Sequence, residues 1–423
     1  MAKYKVWKPG DAVLCSPVLS MDTETELIVD HTIPRVVLLQ VYDGKDVHLV
    51  KWPDIPAYLK EFEAWNASAI FVFHNVAFDI AVLDYPDFLI KAADEGRIVD
   101  TMYRFSLFKI AQEGFLAQRS LQHVCKAVLG RDIEKNDEIR LTFTRDKELS
   151  KEHLDYAAED PIDTMDIASA LEPQPTEDTQ VRGSIALDYI SRLGMLVDEG
   201  RRSTIESTFG NMIDGHLQIL EDNGFIPGKS GNNNVMQEYL EMLEKLYEVN
   251  LDRTDKTGKI KTSDAALEEL GAVVKTDPFI NSYKKYKHLN KMVKTYLRTD
   301  VIGSDGRVHT HFNCLVISGR TSSSQPNLQN LPREDGIRGI FIPTPGYYFA
   351  AIDYSQLELC TLAQGIIEWY GDSVLADKIN AGVDCHKYLA SLVFNKNIDS
   401  ITKDERQFSK IANFGRGLLD LAA

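Results

Sequence analysis

Two carboxylates near the start of the chain have the type and spacing that a metal-dependent site requires. In the stretch "LSMDTETEL", Asp22 and Glu24 stand two residues apart at the end of a strand-like run. Alternate residues of a strand point to the same face, so both side chains converge on one side of a sheet. Carboxylate oxygens suit Mg²⁺ or Mn²⁺. An exposed acidic strand end has the same pattern, so the pair needs partners elsewhere.

Two later stretches supply such partners. "AIFVFHNVAFDIAVL" places Asn75 and Asp79 after an apolar strand and at the start of a helix, where α/β proteins carry their sites. "HLDYAAEDPIDTMDIA" places Tyr156 and Asp160 four residues apart, which on one helix puts them on one face. Singly, Asp79 could serve the helix dipole, and the second pair could be a helix-surface pair. The ordered combination is far more specific than any of its members.

This ordered set, D-x-E, N-x3-D and Y-x3-D, resembles the DnaQ-like 3′–5′ exonucleases of the tyrosine subtype. The resemblance implies that Asp22, Glu24, Asp79 and Asp160 hold two divalent cations, Mg²⁺ or Mn²⁺, with Asp22 bridging them. Two metals about 4 Å apart clamp the attacking water and the leaving 3′ oxygen. Tyr156 would orient that water. Asp100, in "RIVDTM", is a second acidic strand end and is expected to have a supporting role.

A second group of polar stretches lies in the last hundred residues. "GRTSSSQPNLQNLP" (319–332) is a proline-broken loop with Arg320 and many hydroxyl and amide groups, which suit phosphate and minor-groove contacts. An ordinary serine-rich loop has the same composition. "FAAIDYSQLELC" places Asp353 at the end of an apolar strand, before a polar cluster. That cluster consists of Tyr354, Ser355, Gln356 and Glu358.

Together with "DCHKYLASLVF" and "ERQFSKIANFG", these stretches resemble the family A (Klenow-like) DNA polymerases, and the resemblance covers essentially the whole chain. It implies that Asp353 binds both catalytic Mg²⁺ ions and the triphosphate. Glu358 would crowd the sugar 2′ position and so reject ribonucleotides. The remaining residues implied to contact DNA or the incoming dNTP are Arg320 at the primer minor groove, Gln329, Tyr354, Ser355, His386, Arg406, Lys410 and Phe414.

Arg406 and Lys410 are four residues apart, so they share one helix face, as clamping of phosphate requires. An amphipathic helix with a basic face has the same spacing. A lysine-rich segment, "SYKKYKHLNKMVKTYLR", carries six Lys or Arg residues between Lys284 and Arg298. The resemblance implies that this helix lies along duplex phosphates, which predicts salt-dependent, sequence-independent binding.

The predicted fold is α/β, with an RNase H-like (DnaQ-like) exonuclease domain followed by partial palm, thumb and fingers. Strand-like runs such as "RVVLLQVYDG" alternate with helical patterns and predict a mixed sheet. The predicted domains are residues 1–172 (exonuclease), 181–310 (start of the palm and thumb) and 311–423 (partial palm and start of the fingers). The prolines of "LEPQPTEDTQ" (171–180) mark the boundary, and the segment from about 183 to 300 reads as mainly helical.

Charge and cysteine content limit the classes of protein that the chain could be. The net charge of −16 at first argues against a nucleic-acid partner. However, residues 1–180 account for −13 and the remainder for −3, which suggests that the two parts do different work. The five cysteines have no zinc spacing and read as reduced cytosolic thiols. No apolar run is long enough for a membrane span. We therefore expect a cytoplasmic protein, in the host cytoplasm if it is phage-encoded.

The chain also departs from the polymerase pattern. Cys360 stands where the family usually has Arg, and Leu418 and Leu419 occupy its Tyr-Gly positions. The family's His-Asp-Glu turn, which carries the second palm carboxylate, would lie further downstream. We therefore expect that this chain alone does not polymerise. A second polypeptide from a split gene could supply the C-terminal palm, and a frameshift or a truncation would equally produce such a chain. Because no 5′-nuclease domain precedes the exonuclease in this sequence, we expect a phage-type polymerase. The alternatives are a stand-alone exonuclease and a non-catalytic DNA-binding fragment.

Overall fold

The computed structural model describes residues 3–29, 32–133, 137–227, 232–267, 270–271, 276–333 and 336–414. Its contacts divide the chain into two compact units, residues 1–346 and 347–423, and each unit is described by itself below. The three-domain division drawn from the sequence stays a prediction.

The first unit opens with a six-stranded mixed sheet. Its strands are β1 (Tyr4–Val6), β2 (Val18–Thr25), β3 (Val36–Tyr42), β4 (Val47–Lys51), β5 (Ile70–Phe73) and β6 (Ile98–Asp100). They are ordered β1-β4-β3-β2-β5-β6. β2 to β4 pair antiparallel, whereas β1, β5 and β6 join in parallel. The predicted mixed sheet is confirmed.

Helices cover both faces of this sheet, and their ends follow the local sequence. The helices are α1 (Ile55–Trp65), α2 (Val76–Val82), α3 (Asp87–Asp94), α4 (Thr101–Glu113), α5 (Leu121–Leu129), α6 (Asp137–Arg140), α7 (Lys151–Ala157) and α8 (Asp160–Ala170). The side chains of Ser120 and Ser150 accept the first free amides of α5 and α7, as N-caps do. Gly114 and Gly130 end α4 and α5 in the left-handed conformation, which glycine adopts without strain.

A break separates α2 from α3. Asp84 and Tyr85 both have positive φ, and Pro86 precedes the first residue of α3. A residue before proline is disfavoured in the helical region, so the chain turns there instead of continuing one helix.

Alternate residues of β3 serve two different cores, because both faces of the sheet are covered. Leu39 and Val41 pack in a cluster with Trp7 and Met21. Leu38 packs on the other face, in a cluster that includes Leu49 and Phe143 and that α7 helps to cover. Five consecutive residues of β3 are therefore buried, which gives the near-continuous apolar run seen in the sequence.

The rest of the first unit is mainly helical, as predicted. Its elements are α9 (Glu177–Leu193), β7 (Met195–Val197), α10 (Glu199–Asp222), α11 (Asn232–Tyr247), α12 (Asp264–Leu267), α13 (Pro278–Tyr296), β8 (Arg307–Val308), β9 (His311–Asn313), β10 (Ser322–Ser324) and β11 (Phe341–Ile342). β7 lies between β11 and β8 in a small sheet, and β9 pairs with β10. Side chains of α10, α13 and this small sheet share one apolar cluster.

Within the segment predicted to be mainly helical, residues 184–224 form two helices, because β7 separates α9 from α10. Gly194 ends α9 with φ +59°, and a Cβ at this position would lie 2.7 Å from the His309 ring. Asp198 then caps α10 by accepting the Arg201 amide. Gly194 thus ends one helix and Asp198 begins the next. The apolar residues between them, Met195–Val197, form a strand that pairs with β8 and β11.

The second unit consists of helices α14 (Leu357–Tyr370), α15 (Val374–Asn380), α16 (Cys385–Val393) and α17 (Lys403–Phe414). The predicted strand in "GYYFAAIDYS" is not formed. Residues 347–354 have no strand assignment and are exposed, with Ile352 91% exposed. No strand among the described residues pairs with this segment, and an unpaired strand leaves its backbone groups without partners. None of the described helices has the length and apolar composition of a membrane span.

Candidate active site

Three of the predicted metal ligands meet above one face of the six-stranded sheet. Asp22 and Glu24 project from β2, and Asp160 is the first residue of α8. Ligand oxygens of the three side chains all lie within 4.8 Å of one another. Glu24 and Asp160 are buried and Asp22 is half-buried. Three carboxylates held so close repel one another unless a cation neutralises them, so this donor set fits a hard divalent cation.

Tyr156 and Asp160 do not lie on one continuous helix, so their shared face stays a prediction. Tyr156 belongs to α7, and α8 starts at Asp160. Pro161 accounts for the break, since it lacks the amide hydrogen that would bond the carbonyl four residues earlier. Proline is favoured in the first turn of a new helix. Tyr156 is half-buried, with its ring 6.2 Å from the ring of Phe143.

The fourth predicted ligand, Asp79, lies deeper than the other three. It sits on α2 and is fully buried, and its Oδ1 accepts a hydrogen bond of 2.6 Å from the Thr23 hydroxyl, between Asp22 and Glu24 on β2. Burial, followed by the Asp22 carboxylate, raises the pKa of Asp79 well above its usual value. Among the described residues the close ligand group contains only the other three carboxylates. Thr23 thus connects Asp79 to the strand that carries two of them.

Asp100 has a larger structural part than the sequence suggested. Its buried carboxylate caps α4 by accepting the amides of Met102 and Tyr103. It also accepts the amides of Asn75 at 3.2 Å and Val76 at 2.8 Å, at the start of the helix that carries Asp79. Burial raises the pKa of Asp100 to about 6, although these amides act to lower it. Asp100 therefore holds the first turn of α2 against the first turn of α4.

Replacing Asp100 with asparagine is expected to lower the free energy of unfolding by about 2–4 kcal/mol. An amide has one acceptor oxygen, so at least one of the four backbone amides loses its partner and the others lose a charged acceptor. Urea denaturation measures the loss. Asp198→Asn is the matched control, because Asp198 is a partly exposed N-cap and asparagine caps helices equally well. A loss below 1 kcal/mol in both variants would contradict this role of Asp100.

The predicted polymerase residues of the second unit lie on three elements. Asp353, Tyr354 and Ser355 are exposed and precede α14. Glu358 is exposed in the first turn of α14, which follows Gln356 in the left-handed conformation. Arg406 and Lys410 are on α17, and Phe414 is its last residue. The side chain of Phe414 lies outside the described part of the chain, as do Leu418 and Leu419.

Two of the predicted triphosphate ligands are brought close by the packing of α16 against α17. His386 is buried in the first turn of α16. Burial, and after it the Arg406 guanidinium and the Lys410 ammonium, lower the pKa of His386. Arg406 Nε donates to Asp384 Oδ2 at 2.8 Å. The pKa of His386 thus responds to both predicted triphosphate ligands on α17, and Arg406 is tied to the start of α16 through Asp384.

Asp384 is a site residue that the sequence reading missed. It caps α16 by accepting the amides of His386 and Lys387, and it pairs with Arg406. Burial acts to raise its pKa, but the Arg406 guanidinium and the helix amides outweigh this effect, so the pKa is below its usual value. The signal available in the sequence was an Asp immediately before an amphipathic helix.

The predicted primer-contacting residues lie in the loop that contains β10. Arg320 is exposed and follows the turn at 316–319. Gln329 is also exposed, and its side chain donates to the Thr321 hydroxyl at 2.8 Å while its backbone amide donates to Ser323. Internal hydrogen bonds therefore shape this loop, and the side chains of Arg320 and Gln329 stay exposed.

Two family models match most of the chain. Residues 11–175 match the model described as 3′–5′ exonuclease, and residues 226–417 match the model described as DNA polymerase family A. The first match contains the carboxylate group of the sheet, and the second contains Asp353 and the α16–α17 pair.

Curated relatives agree with both matches. The chain is 28% identical to DNA polymerase I of Aquifex aeolicus over 429 residues, which covers 95% of this chain and 68% of that protein. It is 37% identical over 173 residues to the thermostable DNA polymerase I of Thermus aquaticus, covering 39% of this chain and 20% of that protein. The chain thus spans about two thirds of the first relative, and the match spans a fifth of the second.

A solved structure shares the fold. The POL domain of Pol1 from M. smegmatis, in complex with DNA primer-template and dNTP, superposes with a TM-score of 0.66 at 21% sequence identity. The match covers 94% of this chain and 67% of that chain.

Proposed function

Because the chain belongs to family A of the DNA polymerases and contains a 3′–5′ exonuclease domain, we propose that its first part is a proofreading nuclease. Residues 11–175 would hydrolyse the last phosphodiester at the 3′ end of a single DNA strand, releasing a nucleoside monophosphate. The observation that carries this proposal is the convergence of Asp22, Glu24 and Asp160 within 4.8 Å. Exonuclease and polymerase domains of this family are typically metal-dependent, and the donor set fits that chemistry.

Each residue of the site has a proposed part in that reaction. Asp22, Glu24 and Asp160 hold two divalent cations, Mg²⁺ or Mn²⁺, with Asp79 as the fourth ligand. Bound cations supply activation of the attacking water and stabilise charge on the leaving 3′ oxygen. The Thr23 hydroxyl keeps Asp79 oriented toward β2. The Tyr156 hydroxyl orients the attacking water, and the packing of its ring near Phe143 limits the positions that the hydroxyl can take.

A nuclease assay tests this proposal directly. The purified chain is incubated with Mg²⁺ and single-stranded DNA labelled at its 5′ end, and products are separated by length. We expect a ladder that shortens stepwise from the 3′ end and disappears with EDTA. Cuts at internal positions, or shortening that persists in EDTA, would contradict the assignment. Binding of the DNA without any hydrolysis would instead support a non-catalytic DNA-binding fragment.

For the second part of the chain, we propose the nucleotide-binding roles that the family implies. Asp353 binds the catalytic Mg²⁺ ions, of which this site also holds two. Glu358 excludes ribonucleotides. The triphosphate of a dNTP is held by His386, Arg406 and Lys410. The support is that all five lie within the segment matched to DNA polymerase family A and that Arg406 on α17 pairs with Asp384, two residues before His386. Arg320 and Gln329 contact the primer, Tyr354 and Ser355 the nucleotide, and Phe414 the incoming base.

Two binding partners of the chain stay proposals, a further polypeptide and a primer–template DNA. The exposed apolar side chains of Tyr347, Tyr348, Ile352 and Tyr354 support a further polymerase polypeptide as a partner of the second unit. A primer–template DNA partner is supported by the lysines of α13. The cytoplasmic location also stays a prediction.

Neutralising two lysines of α13 is expected to reduce the salt dependence of duplex binding. Lys291 and Lys294 are exposed on this helix, and each phosphate contact contributes about 0.9 to the slope of log affinity against log salt. The double variant Lys291→Ala, Lys294→Ala should therefore lower the magnitude of that slope by about 1.8. Fluorescence anisotropy over a salt series measures it.

The matched control removes the same charge from the exonuclease domain. Lys60 on α1 and Lys91 on α3 are exposed, and replacing both with alanine should leave the slope within error of the unchanged chain. Equal slopes in both double variants would remove the assignment of α13 to the DNA backbone.

A further inference from the structure

Gln40 is a buried amide without a hydrogen-bond partner. It lies on β3, has no solvent exposure, and both its Oε1 and its Nε2 lack a partner among the described residues. Leaving such a group unpaired in the interior is costly, and each case in a native protein requires an explanation. Packing alone does not call for an amide here, since Leu38 and Leu49 occupy adjacent positions on the same face of the sheet.

The register of the sheet places Gln40 beside the candidate metal site. Gln40 pairs directly with Asp22 across the antiparallel β2–β3 ladder. Directly opposed side chains share a face and have Cβ atoms about 5 Å apart. α8 lies over the same face, because the Ser20 hydroxyl, two residues before Asp22, donates to the carbonyl of Pro161. The amide is therefore enclosed between the strand of Asp22 and the first turn of the helix that begins at Asp160.

Another buried polar atom without a partner among the described residues provides a contrast. It is Nδ1 of His48. His48 pairs with Val41 on β3, so it lies on the face opposite to Gln40 and to the carboxylates. The position of Gln40, in addition to its missing partner, relates it to the metal site.

We propose that Gln40 is a positioning residue of the exonuclease metal site. Its Nε2 donates to the Asp22 carboxylate, and its Oε1 accepts a hydrogen bond from a water bound to the cation. This pairing satisfies the amide only when the site is loaded, and it holds Asp22 in the orientation that binds the cation. Residues that orient metal ligands in this way typically change metal affinity or activity 10–100-fold when mutated. The inference rests on the proposed nuclease function.

The test compares two variants that introduce methionine on the same strand and the same face. Gln40→Met removes the amide at nearly constant volume, and Leu38→Met, opposite Glu24, is the control. Binding of Mn²⁺ to the full chain is measured by electron paramagnetic resonance, and thermal unfolding is measured without metal. We expect Gln40→Met to bind Mn²⁺ at least about tenfold more weakly, with an unchanged or higher Tm. Leu38→Met should bind Mn²⁺ like the unchanged chain.

The nuclease assay adds a second readout. In Gln40→Met, the Mg²⁺ concentration for half-maximal rate should rise about tenfold, and excess Mg²⁺ should restore much of the rate. Unchanged Mn²⁺ affinity in a folded Gln40→Met would overturn the proposal. If Gln40→Met fails to fold, Gln40→Asn takes its place, because it retains an amide but shortens the side chain by one methylene. Normal Mn²⁺ affinity of Gln40→Asn would also overturn the proposal.

Asp22→Ala separates the two levels of the argument. Loss of Mn²⁺ binding in Asp22→Ala with normal binding in Gln40→Met removes only the role of Gln40. Normal Mn²⁺ binding in Asp22→Ala would overturn the metal site itself, and the inference with it.

Discussion

Replacing Asp22 with alanine is expected to reduce 3′–5′ hydrolysis of single-stranded DNA by about a thousandfold or more. Asp22 belongs to the close carboxylate group, and among the neighbouring acids its charge contributes most to the raised pKa of Asp79. In the proposed function, its loss removes a ligand of both cations. A cost of about 4 kcal/mol in transition-state stabilisation corresponds to about three orders of magnitude in rate. Initial rates from the 5′-labelled DNA assay, at saturating Mg²⁺, measure the change.

The control for this variant is an acid of the same domain that has no part in the site. Asp94 is exposed at the end of α3, so Asp94→Ala should retain the full rate. The thermal stability of Asp22→Ala should not fall, because its removal relieves repulsion between crowded carboxylates. A folded Asp22→Ala that retains a tenth or more of the activity would refute the metal-site assignment.

Glu177→Ala is expected to be the most destabilising single change outside the apolar cores, at about 3–5 kcal/mol. The Arg104 Nε donates to both carboxylate oxygens of Glu177, at 3.0 Å to Oε1 and 2.9 Å to Oε2. The Glu177 side chain is only 9% exposed and the Arg104 side chain 7%. Arg104 also donates to the carbonyls of Ala168 at 2.9 Å and Leu171 at 3.1 Å. Removing the carboxylate leaves a buried guanidinium without its counter-charge.

The neighbouring residue offers a matched control for Glu177→Ala. Asp178 forms an ion pair with Arg182 whose side chains are 55% and 46% exposed, and exposed pairs contribute about 0–1 kcal/mol. Chemical denaturation of both variants should therefore show a large loss for Glu177→Ala and almost none for Asp178→Ala. Similar small losses in both would show that the Arg104 cluster does not hold α4 to the start of α9.

Local patterns in the chain were sufficient to predict much of the exonuclease domain. The apolar runs of β3, β4 and β5 predicted strands, and the spacing of Asp22 and Glu24 predicted one shared face. Both inferences hold because the alternation of side chains along a strand is a property of the backbone of that strand alone. Helix caps are equally local signals. Helices begin after the capping residues Ser120, Ser150 and Asp198, and α5 ends at Gly130.

The failures have two different causes. The segment "GYYFAAIDYS" has strand composition, but a strand needs a partner, and no described strand pairs with it. The helix expected from Tyr156 to Asp160 is interrupted at residues 158–159, before Pro161, which was a local signal visible in the sequence. Asp160 nevertheless reaches Asp22 and Glu24, because the placement of α8 over the sheet, and not the helix face, decides that distance.

The ordered motifs and their resemblance to a known family therefore identified the carboxylates, while pairing and packing decided their surroundings. Asp100 accepts amides 24 and 25 residues earlier in the chain, and Gln40 lies opposite Asp22 only through the β2–β3 register. Arg406 meets Asp384 because α16 and α17 pack together. Such contacts join segments that are far apart in the sequence, and no local sequence pattern indicates which segments will meet. They form because the fold as a whole buries its apolar surface in one arrangement of strands and helices.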